Sequence, residues 1–223
     1  MTRLTPALAL LVALSLTTAA AADTTTPAPA PAAPAAATAA PTGTPAVDPN
    51  APGTPYVQST SGDWDIRCVH SQNGHDPCQL YQLLKDQGGN SVAEFSTVGL
   101  PPGQPAAAGA TVVTPLETLL SQQVTLQIDS LPAKVYPFLF CNAQGCVARV
   151  GFTADEVQAM RKGQKITLTI YPVAAPDQPV ALTISLKGFS AGYDTATKAN
   201  TAALEAAKAE AAKTGAAPAK AGN

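Results

Sequence analysis

Pro137-Phe138-Leu139-Phe140-Cys141-Asn142-Ala143-Gln144-Gly145-Cys146-Val147-Ala148-Arg149-Val150 sets two apolar, strand-like runs on either side of a tight loop, with a cysteine at each lip. Such a stretch folds back on itself as a β-hairpin, and the two cysteines face each other across it. Facing residues of an antiparallel pair lie near the Cα separation that a disulfide requires. The same grammar recurs upstream, where Cys68 and Cys78 bracket a loop carrying Asn73-Gly74 and Asp76-Pro77, both strong turn signals. The chain has four cysteines, which allow three pairings. Cross-pairing would close larger loops and gain more by chain entropy, so energetics does not choose. Locality does, and the expected bonds are Cys68–Cys78 and Cys141–Cys146.

Working outward, the period-2 signature repeats. Trp64, Ile66 and Cys68 alternate with Asp63, Asp65 and Arg67. Cys78 to Leu84, Ser91 to Leu100 and Thr111 to Val113 are further strand candidates. Val124, Leu126 and Ile128 alternate with Thr125, Gln127 and Asp129. Ile166, Leu168 and Ile170 follow, then Val180, Leu182, Ile184 and Leu186. Each run is apolar on one face only, which fits antiparallel sheets with a wet side. One helix interrupts them. Thr153-Ala154-Asp155-Glu156 has the form of a capping box, and about residues 154–162 should be helical, with Gly163 as the stop. Eight or nine short strands, frequent turns and one short helix predict an all-β sandwich.

Composition divides the 223 residues into four parts. Residues 1–22 combine Arg3, an apolar run from Leu4 to Leu16 and Ala20-Ala21-Ala22, which is the pattern of a cleaved export signal; the run is too short to span a bilayer, so no transmembrane helix is expected in the mature chain. Residues 23–55 are almost entirely Ala, Pro and Thr, a semi-rigid disordered linker. Residues 56–193 form the globular domain. Residues 194–223 are rich in Ala and Lys, with Leu204 as the one sizeable apolar residue after Thr201, and read as a weakly helical or disordered tail.

The formal net charge is −2 with both signs scattered, which excludes the basic face that a nucleic-acid partner requires. Both histidines, His70 and His75, fall inside a C-x-H-x4-H-x2-C cluster with Cys68 and Cys78. Two Cys and two His can complete a tetrahedral zinc site. The spacing is not a common zinc pattern, and an oxidising compartment competes for the thiols. The expected metal and cofactor complement is therefore none, with a small-ligand or metal-binding protein using the Cys68–Cys78 loop as the alternative. A C-x4-C pair in a hairpin lacks the helix start that lowers a thiol pKa. No G-x-S-x-G occurs, and no Ser/His or Cys/His arrangement can be assembled, so no catalytic residue is assigned. Asp63 and Asp65 share the polar face opposite Trp64 and read as solvated strand positions, as does Arg149.

The Trp64…Cys68…Cys78 start, Thr125-Leu126-Gln127-Ile128-Asp129, the Pro137 to Ala148 hairpin and Ser185-Leu186-Lys187-Gly188-Phe189 stand in an order that resembles the invasion-associated locus B (IalB) family of exported alphaproteobacterial proteins. The resemblance covers the globular part and neither tail. It implies an immunoglobulin-like β-sandwich, a periplasmic or envelope location (outer-membrane-associated or secreted forms included), and a link in some pathogens to host-cell invasion. It implies no enzymatic activity and no catalytic residues. The function expected on this basis is that of a protein-binding or envelope-support module whose partner is an envelope protein or a host-surface protein. Glu117 to Gln123 stands where the family tends to carry a Gly/Pro-rich turn, so this loop is expected to take its own conformation.

Overall fold

The computed structural model describes residues 48–214. The expected leader, most of the linker and the last nine residues lie outside this range. Eleven strands and two helices follow one another: β1 (Pro55–Ser61), β2 (Trp64–Val69), β3 (Cys78–Lys85), β4 (Ser91–Gly99), β5 (Ala108–Thr114), β6 (Val124–Ile128), β7 (Lys134–Tyr136), β8 (Phe138–Asn142), β9 (Gly145–Phe152), α1 (Ala154–Lys162), β10 (Lys165–Ile170), β11 (Val180–Ser185) and α2 (Phe189–Thr214). A large sheet has the order β1-β2-β3-β4-β5-β9-β8, and a small sheet the order β11-β10-β6-β7. Every pairing is antiparallel.

The inward faces follow from alternation. Trp64, Ile66, Leu80, Leu84, Phe95 and Val112 of the large sheet join Leu126, Ile166, Leu168, Leu182 and Ile184 of the small one in a single buried core. The result is an immunoglobulin-like antiparallel β-sandwich. Trp64 stands at its centre, with Phe95 at 6.0 Å and Phe189 at 5.6 Å between ring centroids. Tilted aromatic pairs of this kind add about 0.5–1.5 kcal/mol each beyond the area they bury.

Helix α1 forms as its cap dictates. The Glu156 amide donates to Thr153 Oγ1 at 3.2 Å, and the Thr153 amide donates to Glu156 Oε2 at 2.9 Å. Val157 and Met160 are its buried residues. Burial pushes the Glu156 carboxyl up, but Lys134 of β7 at 2.7 Å and the Thr153 amide outweigh it and hold the group below its ordinary value.

The structure departs from the sequence reading at both ends of the domain. Residues 48–54 are pinned to it, since the Gly53 amide donates to the His70 carbonyl at 2.8 Å and the His70 amide to the Thr54 carbonyl at 3.0 Å. Pro55 already belongs to β1, so the fold begins before the expected boundary at 55/56. At the other end there are two helices where one was expected. The boundary at 193/194 falls inside α2, whose residues Phe189, Tyr193 and Ala196 are buried in the core. The described part of the expected tail is thus a continuous helix whose first turns are core. Its start is fixed by Gly188, at φ +83, which packs so closely on the β1–β2 turn that a Cβ there would stand 2.1 Å from the Ser61 carbonyl oxygen. Segment 117–123 forms a 3₁₀ turn, Leu120–Gln122, ending on Gln123 at φ 59.

One polar contact ties the two sheets together. Gln82 alternates inward between Leu80 and Leu84 and is 8% exposed. Its amide reaches β11, donating to the Ser185 carbonyl at 2.7 Å and accepting from the Ser185 amide at 3.0 Å. A buried donor or acceptor left without a partner costs roughly 1–3 kcal/mol. Gln82→Met keeps the volume and removes the amide, so it is expected to destabilise the domain by about 2 kcal/mol. Urea unfolding checks this, and the midpoint should fall while the slope stays unchanged.

Candidate functional site

Strand β3 also carries the first residue of the site. Gln79, Tyr81 and Leu83 alternate onto the outer face of the large sheet, away from the core. Tyr81 is nevertheless buried, with the guanidinium carbon of Arg67 of neighbouring β2 over its ring, 3.2 Å from the centroid. Arg67 Nη2 donates to Asp65 Oδ2 at 3.1 Å, which helps to hold the guanidinium over the ring. Burial, aided by the Glu94 carboxylate, raises the Tyr81 hydroxyl above its ordinary value, and Arg67 offsets part of that rise. Ser96 and Val98 of β4 and Thr111 and Val113 of β5 extend the same floor.

Helix α2 supplies the roof. Thr197, Asn200, Thr201, Leu204 and Lys208 overhang the floor, and Leu100-Pro101-Pro102 closes one side. The groove between them measures about 1400 Å³. Its position depends on how α2 is held. Gly99 of β4 allows the helix to come close, since a Cβ there would stand 2.8 Å from Thr197 Oγ1. Arg161 of α1 donates to Ser190 Oγ at 2.9 Å and pairs with Asp194. This pairing raises the Arg161 pKa and lowers that of Asp194. Asn200 then clasps the start of β3: its Oδ1 accepts from the Cys78 amide at 2.7 Å, and its Nδ2 donates to the Cys78 carbonyl at 2.8 Å.

The residues singled out in the sequence lie at the margins. Cys68 is joined to Cys78 and Cys141 to Cys146, each pair directly opposite in register with Cα atoms 4.0 Å apart. The Cys68–Cys78 bond lines the mouth of the groove with Pro55, Val69 and Pro77. His70 stacks on Tyr56 at 4.2 Å and meets Asp76 Oδ2 at 3.2 Å. The backbone amide of His75 is bonded to Asn73 Oδ1 at 3.1 Å, and neither histidine lines the groove. Among the described residues no group of three or more His, Cys, Asp or Glu side chains is placed to hold a metal ion. Sequence reading missed the groove because it closed the domain at Tyr193. The signal was present: Phe189, Tyr193, Ala196, Asn200 and Leu204 recur at helical spacing, one stripe that runs from the core to the groove.

The model of the "Invasion associated locus B (IalB) protein" family matches residues 64–197. Two Invasion protein B homologs of Brucella abortus, from strain 2308 and from biovar 1 strain 9-941, are each 32% identical over 143 residues, covering 64% of this chain and 80% of the relative. Among solved structures, invasion associated protein b from Bartonella henselae superposes with a TM-score of 0.52 at 23% identity, over 62% of this chain and 94% of that one.

Two outcomes test the geometry. Asn200→Leu leaves the Cys78 N–H and C=O without their clasp and frees the outer half of α2, so amide exchange of residues 201–213 should quicken about tenfold, a loss of about 1.4 kcal/mol of local stability. The second concerns acid. The Ser71 amide, and after it the Tyr56 hydroxyl, hold the Asp76 carboxyl below its ordinary value. A carboxyl lowered on folding adds stability above its unfolded pKa, about 4, and that contribution disappears as pH falls through the folded value. The 70–78 loop should therefore loosen below about pH 4. Ring resonances of Tyr56 and His70 would report it, and Asp76→Asn should remove the transition.

Proposed function

The chain belongs to the invasion-associated locus B family, and from that premise we propose that it is an exported, non-enzymatic binding module of the cell envelope. Its groove receives an extended segment of a partner protein on the envelope or on a host surface. The observation that carries this reading is the groove itself: wide, open along one side, walled by Val98, Val113, Leu100 and Leu204, with the Arg67–Tyr81 stack and the clasped Asn200 as fixed polar groups. Enzyme pockets gather convergent titratable groups around a reacting atom. In this groove the charged side chains are spread along the lining, Arg67 bonded to Asp65 and Lys208 to Glu205, with Glu94 apart, beside an apolar strip suited to a polypeptide with small and aliphatic side chains. A periplasmic location is supported by the N-terminal export pattern and by two disulfides, which persist in oxidising compartments. Among the described residues no helix is long and apolar enough to cross a membrane. The Brucella relatives are named invasion protein B homologs, which supports a part in invasion.

A photo-crosslinking side chain at Leu204 tests the reading in envelope extracts and on host membranes. It should capture a single protein through an extended segment, and Ser96→Trp, which fills the floor, should abolish capture. The same group at Leu83, exposed on the sheet but outside the groove, should capture nothing. Turnover of a small substrate, with no partner captured at Leu204, would sink the proposal.

A further inference from the structure

Asn73 and Gly74 stand exposed in the 70–78 loop, outside the groove. An asparagine loses its side-chain amide when the backbone nitrogen of the next residue attacks the side-chain carbonyl carbon. A side chain on that next residue shields the nitrogen, and a hydrogen bond ties it up. Gly74 has neither protection. A Cβ there would meet nothing within 4 Å, and the Gly74 N–H donates to no group among the described residues.

The amide under attack is already polarised. Asn73 Oδ1 accepts from Ser71 Oγ at 2.8 Å and from the His75 amide at 3.1 Å. Donors fixed in advance on a carbonyl oxygen stabilise the negative charge of a tetrahedral intermediate without reorganising when it appears. The Ser71 amide is bonded to Asp76 Oδ1 at 2.7 Å, and the Cys68–Cys78 disulfide closes the loop, so both donors are held in place. The departing nitrogen, Asn73 Nδ2, has no partner among the described residues. The other described asparagines each lack part of this arrangement. Asn142 Oδ1 also accepts two N–H groups, from Gln144 at 2.9 Å and Gly145 at 3.3 Å, but Ala143 follows it. The nitrogen after Asn50 is bonded to the Asp48 carbonyl at 3.1 Å. Asn90 is tied to Asp86 through Nδ2 at 3.0 Å, and Asn200 has both halves of its amide on Cys78.

We propose that Asn73 is a self-modifying site, which loses its side-chain amide in the folded protein and becomes aspartate or isoaspartate with water as co-reactant. The Gly74 nitrogen gives its proton to solvent and forms a bond to Asn73 Cγ, and Oδ1 takes up the carbonyl electron pair between Ser71 and His75. Collapse breaks the Cγ–Nδ2 bond, and the nitrogen takes a proton from solvent and leaves as ammonia. The product is a cyclic imide. Water then adds to one of its two carbonyls and opens the ring, to aspartate or to isoaspartate according to the carbonyl attacked. No oxidant or reductant takes part. The change adds a charge where one already stands. Ser71 Oγ lies 2.9 Å from Asp76 Oδ1 as well, so a single hydroxyl hydrogen would serve two carboxylates, and like charges repel. The loop then loosens around Asp76, which also holds Tyr56 and His70. Pro77 and Cys78 of the same loop line the groove mouth, so the new charge arises beside the site. The inference stands whatever the groove binds.

Peptide mapping by mass spectrometry of the full-length chain, aged in mildly alkaline buffer, tests it. The Asn73 peptide should convert to a mixture of aspartate and isoaspartate, at least tenfold faster than the Asn142 peptide of the same sample. Gly74→Ala should slow the conversion at least tenfold. Ser71→Ala should slow it roughly fivefold, less than loss of a buried oxyanion donor because water replaces the exposed hydroxyl, and Ser71→Thr should restore it. The comparison with Asn142 needs no substitution and decides the matter should a variant fail to fold. Loss of the amide at Asn142 as fast as at Asn73, conversion that Gly74→Ala leaves unchanged, or an Asn73 amide that survives in the folded chain while the urea-unfolded chain loses it would each overturn the inference.

Discussion

Two side-chain amides on opposite sides of one strand decide how the layers of this protein meet. Gln82 and Asn200 each offer a carbonyl and an N–H in the geometry of a peptide group, and each engages the N–H and C=O of a single residue. Gln82 carries strand β3 across the core to the edge of the small sheet. Asn200 carries helix α2 back to the first residue of the same strand. Gln82 is buried and Asn200 half-buried, and each has both halves of its amide satisfied. Each clasp therefore has one acceptable arrangement, which hydrophobic contact alone would not impose. Apolar packing brings the sheets and the helix together, and the amides determine where they stop.

The groove is a consequence of that register. Phe189, Tyr193 and Ala196 seat α2 in the core, and Asn200 ends the seated part. Beyond it the helix continues over the outer face with Leu204 as its apolar contact, so a gap remains between helix and sheet. The Cys68–Cys78 bond lies directly behind the clasp, because Cys78 is the residue that Asn200 holds. The disulfide keeps the β2–β3 end from fraying, and the helix attaches to an end already rigid. In this sense the bond is structural and still matters to the site.

Much of the fold was legible because its determinants are local. The cysteines stand five and ten residues apart across turns, the capping box spans four residues, and the strands announce themselves by alternation. What stayed hidden was non-local. Gln82 breaks an apolar alternation, which marks a buried polar group, yet its partner lies 103 residues away. Asn200 looked like one polar residue in an Ala/Lys tail, and its partner lies 122 residues away. The stripe Phe189, Tyr193, Ala196, Asn200, Leu204 was cut because composition changes near residue 194 while the helix does not. Tyr81 was invisible for another reason. An outward aromatic on a strand reads as half-exposed, and its burial depends on an arginine from the next strand and a helix from the far end of the chain.

The edges and the groove obey one rule read in two directions. Two strand edges carry a group that resists pairing: Pro55, without an N–H, opens β1, and Lys134 stands in β7, paired to Glu156. Where the chain leaves surface apolar, at β8 and beneath Leu204, a neighbouring disulfide stiffens the backbone at that place: Cys141–Cys146 at the end of β8, Cys68–Cys78 at the mouth of the groove. Stiffness is what an apolar surface needs in order to bind without collapsing on itself, since ordering a loose segment would consume the free energy of contact. The two disulfides add chain-entropy stability wherever they stand. Neither bridges the two sheets: Cys68–Cys78 joins β2 to β3 and Cys141–Cys146 joins β8 to β9, so each stiffens one hairpin of the large sheet.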